Sequence, residues 1–359
     1  MCAARLSANR NALPADMSAP SPLDEAEIAA LFEPLQSFGH VLAAVSGGPD
    51  SMALMGLLVR WGALRDVTIS VATVDHGFRP EARAEAEFVA RIAGDLGLAC
   101  TILTREGPVP DSGLQEAARE ARYDLLYGCA RAIGARALVT AHHADDQAET
   151  VLMRLCHASG PGGLAGMRMD TPRGEVTLIR PFLDVPRARL AASLAELGLE
   201  SLTDPSNADP RFERVRLRQL ADVLSGLGLT RERLVLLGKR AARADAALDR
   251  AAEAAFTRHS LPGAAGLDAV GLDAAGLDFA ATLFGEPQEI IVRVLAKGLA
   301  RTVPDRQVRL ERLEDLVEAL GAAQGRQEPL GRTLGGVVVR LSPAGRLNLS
   351  PEGPRGAKT

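Results

Sequence analysis

The stretch His40-Val-Leu-Ala-Ala-Val-Ser-Gly-Gly-Pro-Asp-Ser51 decides the fold of this 359-residue chain. Its apolar run at 41–45 is typical of a buried strand, and the glycine pair followed by Pro49 predicts a tight turn into a helix. Glycine admits positive φ and allows a ligand close to the backbone, and the N–H groups at a helix N-terminus attract anions. The stretch therefore predicts a phosphate loop over residues 46–51. The alternative is a glycine-rich turn that binds no ligand.

The phosphate loop differs from two common nucleotide-binding loops. The lysine of a Gly-x-x-x-x-Gly-Lys-Ser/Thr loop is missing, and the spacing Gly-x-Gly-x-x-Gly is absent. Instead, Ser46 and Ser51 offer hydroxyl donors and Asp50 offers a carboxylate. A carboxylate beside phosphates indicates a bound Mg²⁺ between them, because this ion prefers oxygen ligands.

Strands and helices alternate between residues 40 and 160. This alternation predicts an α/β fold, a doubly wound and mainly parallel sheet with helices on both faces. Ligands bind such sheets beyond the carboxyl ends of the strands. Three predicted strands end at segments that could carry chemistry, at 46–51, 75–77 and 142–149. The predicted strands are 41–45, 67–74, 99–103, 137–141 and 176–179, and the predicted helices are 50–61, 80–96, 114–133, 145–155 and 185–197.

The sequence divides into four parts. For residues 1–22 we expect a disordered extension; a transit peptide is an alternative, and the chain could also start at Met17. Residues 23–210 are the predicted α/β domain. Residues 211–325 predict a mostly helical domain, and residues 326–359 a short β-hairpin with a tail. We expect the glycine segment, residues 159–166, to be a mobile loop without regular structure. The Gly-Leu-Asp repeat within 266–278 has no physical explanation.

Composition narrows the classes of function. A net charge of −4 excludes a uniformly basic nucleic-acid binder, although a local basic patch remains open. The four cysteines are far apart and lack Cys-x-x-Cys spacing, which argues against structural zinc and iron–sulfur clusters and suits a reducing cytoplasm. No apolar run approaches the ~18 residues of a membrane span, so no membrane partner is predicted.

The segment His142-His-Ala-Asp-Asp-Gln-Ala-Glu-Thr150 is dense in polar side chains. On a helix, Asp145 and Glu149 share one face at the i,i+4 spacing, and Asp146 lies on the adjacent one. Acidic residues near a helix N-terminus also complement its dipole, which is the purely structural alternative. Beside a phosphate loop, the segment favours Mg²⁺ binding and charge control at a reacting phosphate.

Two groups of arginines point to phosphate. Arg119 and Arg122, with Tyr123 beside them, can brace a phosphate through bidentate hydrogen bonds; the alternative is a solvated helix face. A basic segment after the turn-rich stretch 203–210 indicates contact with nucleic acid, the alternative being a solvated Arg/Glu helix. The arginines of the basic segment are Arg211, Arg214, Arg216 and Arg218.

Together these segments resemble the tRNA(Ile)-lysidine synthetase family. The phosphate loop resembles the PP-loop of N-type ATP pyrophosphatases, and Val74–Arg79 resembles the second-strand segment of the family. Further resemblance lies in Ala118–Tyr123, Thr140–Thr150, Ser159–Met167, Asp204–Asp209 and Thr333–Gly336. The chain departs from the family pattern at Arg214-Val215 and at His157-Ala158.

The resemblance implies a ligase that uses ATP and Mg²⁺ to join L-lysine to the wobble cytidine of an isoleucine tRNA with a CAU anticodon. The C2 oxygen of the cytidine is adenylated, and the lysine ε-amine then displaces AMP. The resemblance also implies a cytoplasmic enzyme and leaves a homodimer open.

The resemblance assigns roles residue by residue. The catalytic residues are Asp50, Arg122 and Asp146, of which Asp50 and Asp146 also hold the metal. The ATP-binding residues are Ser46, Gly47, Gly48, Pro49, Asp50, Ser51, Asp75, His76, Arg119 and His143. The cytidine- or lysine-binding residues are Glu149, Ser159, Gly160, Gly163 and Met167. The tRNA-binding residues are Arg211, Arg214, Arg216 and Arg218.

Three other functions compete with this one. A tRNA thiolase of the same superfamily would need reactive or cluster-binding cysteines. An amidating enzyme such as a GMP or NAD synthetase would not need the basic segment. A nucleotide-binding regulator without turnover would use the acidic helix, the predicted helix 145–155, only as structure.

Overall fold

The structure is a computed structural model that describes residues 20–63, 65–75, 77, 81–105, 114–202, 213–261, 276–304, 306 and 308–353. The predictions for residues 1–19, for His76, for Arg211 and for most of the Gly-Leu-Asp repeat therefore fall outside the described residues. So does the predicted domain boundary at 210, which stays a prediction.

The first sheet has six strands in the order β3-β2-β1-β4-β6-β5. Every neighbouring pair is parallel except β5 with β6, which confirms the predicted mainly parallel sheet. Its strands are β1 (His40–Ala44), β2 (Thr68–Asp75), β3 (Ala99–Thr104), β4 (Ala137–Val139), β5 (Asp170–Arg173) and β6 (Val176–Ile179).

Helices cover both faces of this sheet. Alternate residues of β1 enter different cores, since Val41 and Ala43 pack with Leu54 and Leu58, whereas Leu42 packs with Leu126. This alternation follows from the two-residue period of a strand. The helices are α1 (Glu25–Phe32), α2 (Pro49–Gly62), α3 (Glu81–Asp95), α4 (Leu114–Ala132), α5 (Ala144–Cys156), α6 (Pro161–Leu164) and α7 (Arg187–Leu197).

The strand order reverses between β1 and β4. From β1 the chain proceeds to β2 and β3 on one side, and β4 and β6 continue on the other. Such a switch point opens a crevice at the carboxyl ends of the two strands. The phosphate loop follows β1 and the acidic helix α5 follows β4, so the topology brings both to this crevice.

Beyond residue 212 the described chain is helical and then β-structured. The helices are α8 (Glu213–Gln219), α9 (Ala221–Gly226), α10 (Arg231–His259), α11 (Gln288–Thr302) and α12 (Leu310–Arg326). The strands are β7 (Ser260–Leu261), β8 (Leu277–Phe279), β9 (Leu330–Leu334), β10 (Val337–Leu341) and β11 (Leu347–Pro351). The short 3₁₀ helices are Glu33–Phe38 and Ala281–Gly285.

The predicted C-terminal hairpin is confirmed as the antiparallel pair of β10 and β11, in which Val339 faces Leu349. It belongs to a larger antiparallel sheet of five strands, in the order β7-β8-β11-β10-β9. The other three strands were not predicted from the sequence. Two of them have only two and three residues, too few to show an alternating pattern.

The described residues form two compact units. The first holds those up to Met153 together with those between Met167 and Val235, and the second holds Arg154–Gly166 together with those from Leu236 onward. Within the first unit, Val151 and Leu152 of α5 pack against Leu217 and Leu234, so α8 and the start of α10 rest on the acidic helix. No helix among the described residues is long and apolar enough to cross a membrane.

The expectation of an unstructured glycine segment was wrong. Residues Pro161–Leu164 form the short helix α6, and Gly160 is its N-cap residue. Proline is favoured at the first position of a helix because its missing N–H would be unpaired there in any case. The pair Gly160-Pro161 was therefore the available signal.

Candidate active site at the switch point

The phosphate loop is held by its own hydroxyl groups. The Ser51 hydroxyl donates to the carbonyl of Gly48 at 2.9 Å and accepts from the backbone N–H of Ser46 at 3.1 Å. The two serine oxygens lie 3.3 Å apart. Ser51 is thus a brace of the loop, and Pro49 occupies the first turn of α2 as predicted.

The two glycines of the loop differ in backbone conformation. Gly47 has φ +84°, and its carbonyl accepts the N–H of Leu202 at 2.8 Å. Gly48 has φ −68°, an ordinary value for any residue. A Cβ at Gly48 would meet only the Ser46 hydroxyl at 3.8 Å. The surface of Gly48 is therefore open to a ligand.

His143 joins the loop to the acidic helix. Its Nε2 atom lies 3.5 Å from Asp50 Oδ2 and 3.5 Å from Asp146 Oδ2. The ring is buried, which favours the neutral form, but the hydrogen bond to Asp50 and the nearby carboxylates raise its pKa overall. Burial by itself would raise the pKa of the Asp50 carboxyl, but the hydrogen bonds and positive charges of His143 and Arg187 lower that pKa overall. Nδ1 accepts a backbone N–H, so Nε2 carries the ring proton and faces the two carboxylates.

His143 and Asp146 also cap helix α5 reciprocally. The backbone N–H of Asp146 donates to Nδ1 of His143 at 3.3 Å, and the backbone N–H of His143 donates to Asp146 Oδ2 at 3.2 Å. This is a capping box with histidine in the place of serine or threonine. Asp145 has a structural role as well, because its Oδ2 accepts the N–H of Arg187 at 2.8 Å.

Two arginines of the basic segment contact the acidic helix. Arg218 forms a bidentate pair with Glu149, at 2.5 and 3.0 Å, and this hydrogen bonding raises the pKa of Arg218. Arg214 lies 3.9 Å from Asp146 and 3.5 Å from the Thr150 hydroxyl. Arg216, on the same helix, is exposed. The predicted tRNA-binding arginines therefore include two that border the site.

Helix α4 brings Arg122 to the loop. Arg122, Ser46, Ala72 and Val74 line one small cavity. The pKa of Arg122 is lowered mainly by burial, and the charge of Arg119 lowers it further. Burial also holds the pKa of His142 well below its usual range, with the surrounding arginines adding to the effect, so His142 is a neutral imidazole.

The remaining predicted residues divide between the two units. In the first, the buried Asp75 accepts the N–H of Gly77 at 2.9 Å, and Gln147 binds the backbone of Met167 through two hydrogen bonds of 3.0 and 2.8 Å. Ser159, Gly160 and Gly163 belong to the second unit. There, a Cβ at Gly162 would lie 2.9 Å from Asp245 Oδ1, so α6 fits closely against α10.

The carboxylates fit a magnesium ion. Asp50 and Asp146 approach the same ring nitrogen, and Mg²⁺ is commonly bound by one or two carboxylates together with substrate phosphates and water. Among the described residues, no group of three or more His, Cys, Asp or Glu is placed to hold a metal by itself. A metal at this site would therefore need oxygen ligands from the nucleotide.

Two residues of the site, Arg187 and Gln147, were not among the predicted site residues. The guanidinium of Arg187 lies 3.4 Å from Asp50 Oδ1, although the two residues are 137 positions apart. Gln147 anchors Met167 as described above. No local pattern marks Arg187, since only the packing of α7 beside α2 brings it to Asp50.

Two described cysteines of the first unit, Cys100 and Cys129, have environments that disfavour a thiolate. Burial raises the pKa of Cys100 to about 11, and burial also raises the pKa of Cys129. The described cysteines, Cys100, Cys129 and Cys156, form no disulfide. The environments of Cys100 and Cys129 therefore do not suit thiolase chemistry, which needs nucleophilic or cluster-binding sulfur.

Comparison with known proteins agrees with this geometry. The model of the PP-loop domain family matches residues 20–224, so the chain is a PP-loop protein. The tRNA(Ile)-lysidine synthase of Methylobacterium nodulans is 51% identical over 326 residues, which cover 89% of this chain and 92% of that protein. That of Rhodopseudomonas palustris is 45% identical over 333 residues, which cover 90% and 94%. The chain belongs to the tRNA(Ile)-lysidine synthase family.

One solved structure is similar at a lower level. The U34-tRNA thiolase NcsA of Methanococcus maripaludis, with its 4Fe-4S cluster, matches with a TM-score of 0.49 and 17% identity, over 60% of this chain and 80% of that one. A similarity of this extent carries no functional argument.

Proposed function

We propose that this chain is a ligase that joins L-lysine to C2 of the wobble cytidine in an isoleucine tRNA with a CAU anticodon. ATP is converted to AMP and diphosphate in the reaction. The observation that carries the proposal is the meeting of the phosphate loop and the acidic helix at His143, in a chain of this family.

In the first step, the C2 oxygen of the cytidine attacks the α-phosphorus of ATP and diphosphate leaves. The N–H groups at the start of α2 and the open surface of Gly48 suit the phosphates, because both favour an approaching anion. Arg122 and Arg119 would balance the negative charge that develops on the phosphate oxygens. Ser46, Ser51, Asp75, His76 and His143 complete the proposed ATP site.

In the second step, the lysine ε-amine attacks C2, and AMP leaves with the former cytidine oxygen. The ε-amine is protonated in solution and must lose a proton before it can attack. Asp146 is the proposed acceptor, since it lies at the switch point and is mostly buried. Glu149, Ser159, Gly160, Gly163 and Met167 are the proposed contacts of lysine or cytidine.

Asp50 and Asp146 are the residues that would hold Mg²⁺. When bound, the ion would offset charge on the departing diphosphate. Nε2 of His143 lies 3.5 Å from each of these two carboxylates, so its ring keeps them close together.

The basic segment is the proposed contact for the tRNA backbone, through Arg211, Arg214, Arg216 and Arg218. We also propose a cytoplasmic location, where tRNA, lysine and ATP are available together. A homodimer is a further proposal, which light scattering of the purified protein tests.

The deciding experiment follows labelled lysine into RNA. The protein is incubated with ATP, Mg²⁺, labelled lysine and the isoleucine tRNA, and the control tRNA carries uridine at the wobble position. We expect one lysine per tRNA, one AMP per lysine and no transfer to the control. AMP formation with another acceptor, without lysine in the tRNA, would overturn the proposal.

A further inference from the structure

A second cleft lies in the first unit, between α4 and the strand pair β5–β6. Its volume is about 340 Å³. None of the roles proposed above uses Tyr127, Thr171, Arg173 or Arg180, which line it. The full lining is Arg119, Glu120, Tyr123, Tyr127, Thr171, Arg173, Leu178 and Arg180.

Arg180 is the most informative residue of the cleft. It is only 8% exposed, and its Nη1 donates to the carbonyl of Arg168 at 2.8 Å and to the Thr171 hydroxyl at 3.1 Å. Its Nε has no hydrogen-bond partner among the described residues. No ion pair joins it to a carboxylate in the described part of the chain. A buried cation with an unpaired donor is costly unless an anion completes it.

The other cations of the cleft are held in fixed orientations. The guanidinium of Arg119 lies over the ring of Tyr123 at 5.3 Å, and that of Arg173 lies over the ring of Tyr127 at 4.9 Å. Burial is the main cause that lowers the pKa of Arg180, and the charge of Arg119 acts in the same direction. Glu120 is the single acidic residue in the lining.

The position of the cleft connects it to the active site. Arg180 directly follows β6, whose neighbour β4 leads to the acidic helix. From Arg180 the cleft runs along the edge strand β5 to Arg173, at the opposite end of the pairing between β5 and β6. Cations spaced along a strand suit a chain of phosphates better than a single small anion.

We propose that this cleft binds the phosphodiester backbone of the unpaired RNA strand next to the base that enters the active site. The inference rests on the proposed function, because it takes the substrate to be an anticodon loop. Arg173, Thr171 and Arg180 donate to phosphate oxygens, and Arg119 forms the border with the proposed ATP site. Contacts of this kind position RNA without reading its sequence.

The experiment compares charge changes at Arg173, on β5 within the cleft, and at Arg131, on α4 outside it. Arg173→Glu and the milder Arg173→Gln alter the cleft at an exposed side chain, which is paired on the surface with Asp124. The matched control is Arg131→Glu, an exposed residue in the last turn of α4 that does not line the cleft. Binding of the isoleucine tRNA is measured by fluorescence anisotropy over a range of salt concentrations, and ATP affinity is measured separately.

We expect Arg173→Glu to weaken tRNA binding roughly tenfold and to reduce the salt slope by about one, as loss of one phosphate contact should. Arg173→Gln should have a smaller effect of the same sign. The KM for ATP should not change, and Arg131→Glu should bind tRNA like the wild type.

Equal tRNA affinity in Arg173→Glu and Arg131→Glu would overturn the inference. Weaker inhibition by added diphosphate, with tRNA binding unchanged, would overturn it in favour of a site for the released product. The binding measurement does not depend on lysine transfer. A wild-type protein that binds tRNA through the cleft but transfers no lysine would therefore refute the proposed function and leave the cleft standing.

Discussion

Gly47 and Gly48 are neighbours in the phosphate loop, yet a side chain would act differently at each. A Cβ at Gly47 would lie 3.0 Å from Leu202, and φ there is +84°. At Gly48 the backbone is ordinary and the space is open. The first glycine is required by the fold, whereas the second leaves room for a ligand.

We therefore predict opposite outcomes for two alanine variants. Gly47→Ala should lower the free energy of unfolding by about 1 to 2 kcal/mol, the cost of a left-handed backbone for alanine. Gly48→Ala should unfold like the wild type but bind ATP much more weakly, because its methyl group occupies the ligand's approach. Urea unfolding and ATP titration of both variants check this. Normal ATP binding by Gly48→Ala would contradict the assignment of Gly48.

Asp50 is the residue of the loop that contacts both His143 and Arg187. Asp50→Asn should reduce AMP formation by at least about 100-fold, the scale at which electrostatic groups in active sites act. It should also lower the pKa of His143, since one of the carboxylates that raise it is lost. AMP release and NMR titration of the ring test the two effects. Asp66→Asn, at an exposed position outside the site, is the control.

At the scale of elements, the short helix α6 depends on close packing within the second unit. Gly162 leaves just enough space for Asp245, which pairs with Arg293 at 2.8 Å. Because that carboxylate is buried and held, it cannot move aside freely.

Gly162→Ala should therefore displace α6 and slow lysine transfer, while ATP binding at the phosphate loop stays unchanged. Single-turnover lysine transfer and ATP titration separate the two effects. Gly94→Ala in α3 is the matched control, since its Cβ would meet no atom within 4 Å. A Gly162→Ala variant as active as Gly94→Ala would show that the fit of α6 is not needed.

Helices α1 and α7 are joined by a bidentate ion pair. Arg189 donates to both carboxylate oxygens of Glu27, at 2.6 and 2.7 Å. The hydrogen bonds from Arg189, with the backbone of Asp24, lower the pKa of Glu27 from 4.5 to about 2. A carboxyl group whose pKa is lower in the folded state stabilises the fold above its unfolded pKa, and this contribution is lost as the pH falls through the folded pKa.

Glu27→Gln should accordingly lower the urea midpoint at neutral pH. The difference from the wild type should shrink as the pH falls from about 4.5 towards about 2. Both side chains are partly exposed, so solvent screens the pair and keeps the effect small. Glu33→Gln, at an exposed position nearby, serves as control. A difference that is independent of pH would refute the ion-pair explanation.

At the scale of the whole molecule, the net charge of −4 sets a condition on tRNA binding. A polyanion must be bound by local groups of arginine against an unfavourable overall charge. Three or four phosphate contacts would weaken tRNA affinity by roughly 20- to 150-fold between 50 and 200 mM salt. Anisotropy measurements at several salt concentrations check this. An affinity that does not change with salt would contradict binding through the arginines.

Much of the fold was predictable because it depends on local patterns. The strand 176–179 was predicted with its observed bounds, and β1 and α2 differ from their predicted bounds by one residue. Apolar runs, glycine turns and acidic helix starts are visible in windows of about ten residues. The edge strand β5, with the sequence Asp-Thr-Pro-Arg, carries no such pattern and was missed.

The sequence by itself determined that a phosphate loop follows one strand and an acidic helix follows another. The tertiary structure decided which atoms meet there: His143 between Asp50 and Asp146, Arg187 beside Asp50, and Arg218 on Glu149. The physical reason is that local patterns report the period and burial of one element at a time. Contacts across 137 residues depend instead on strand order and on the packing of each helix against its neighbours.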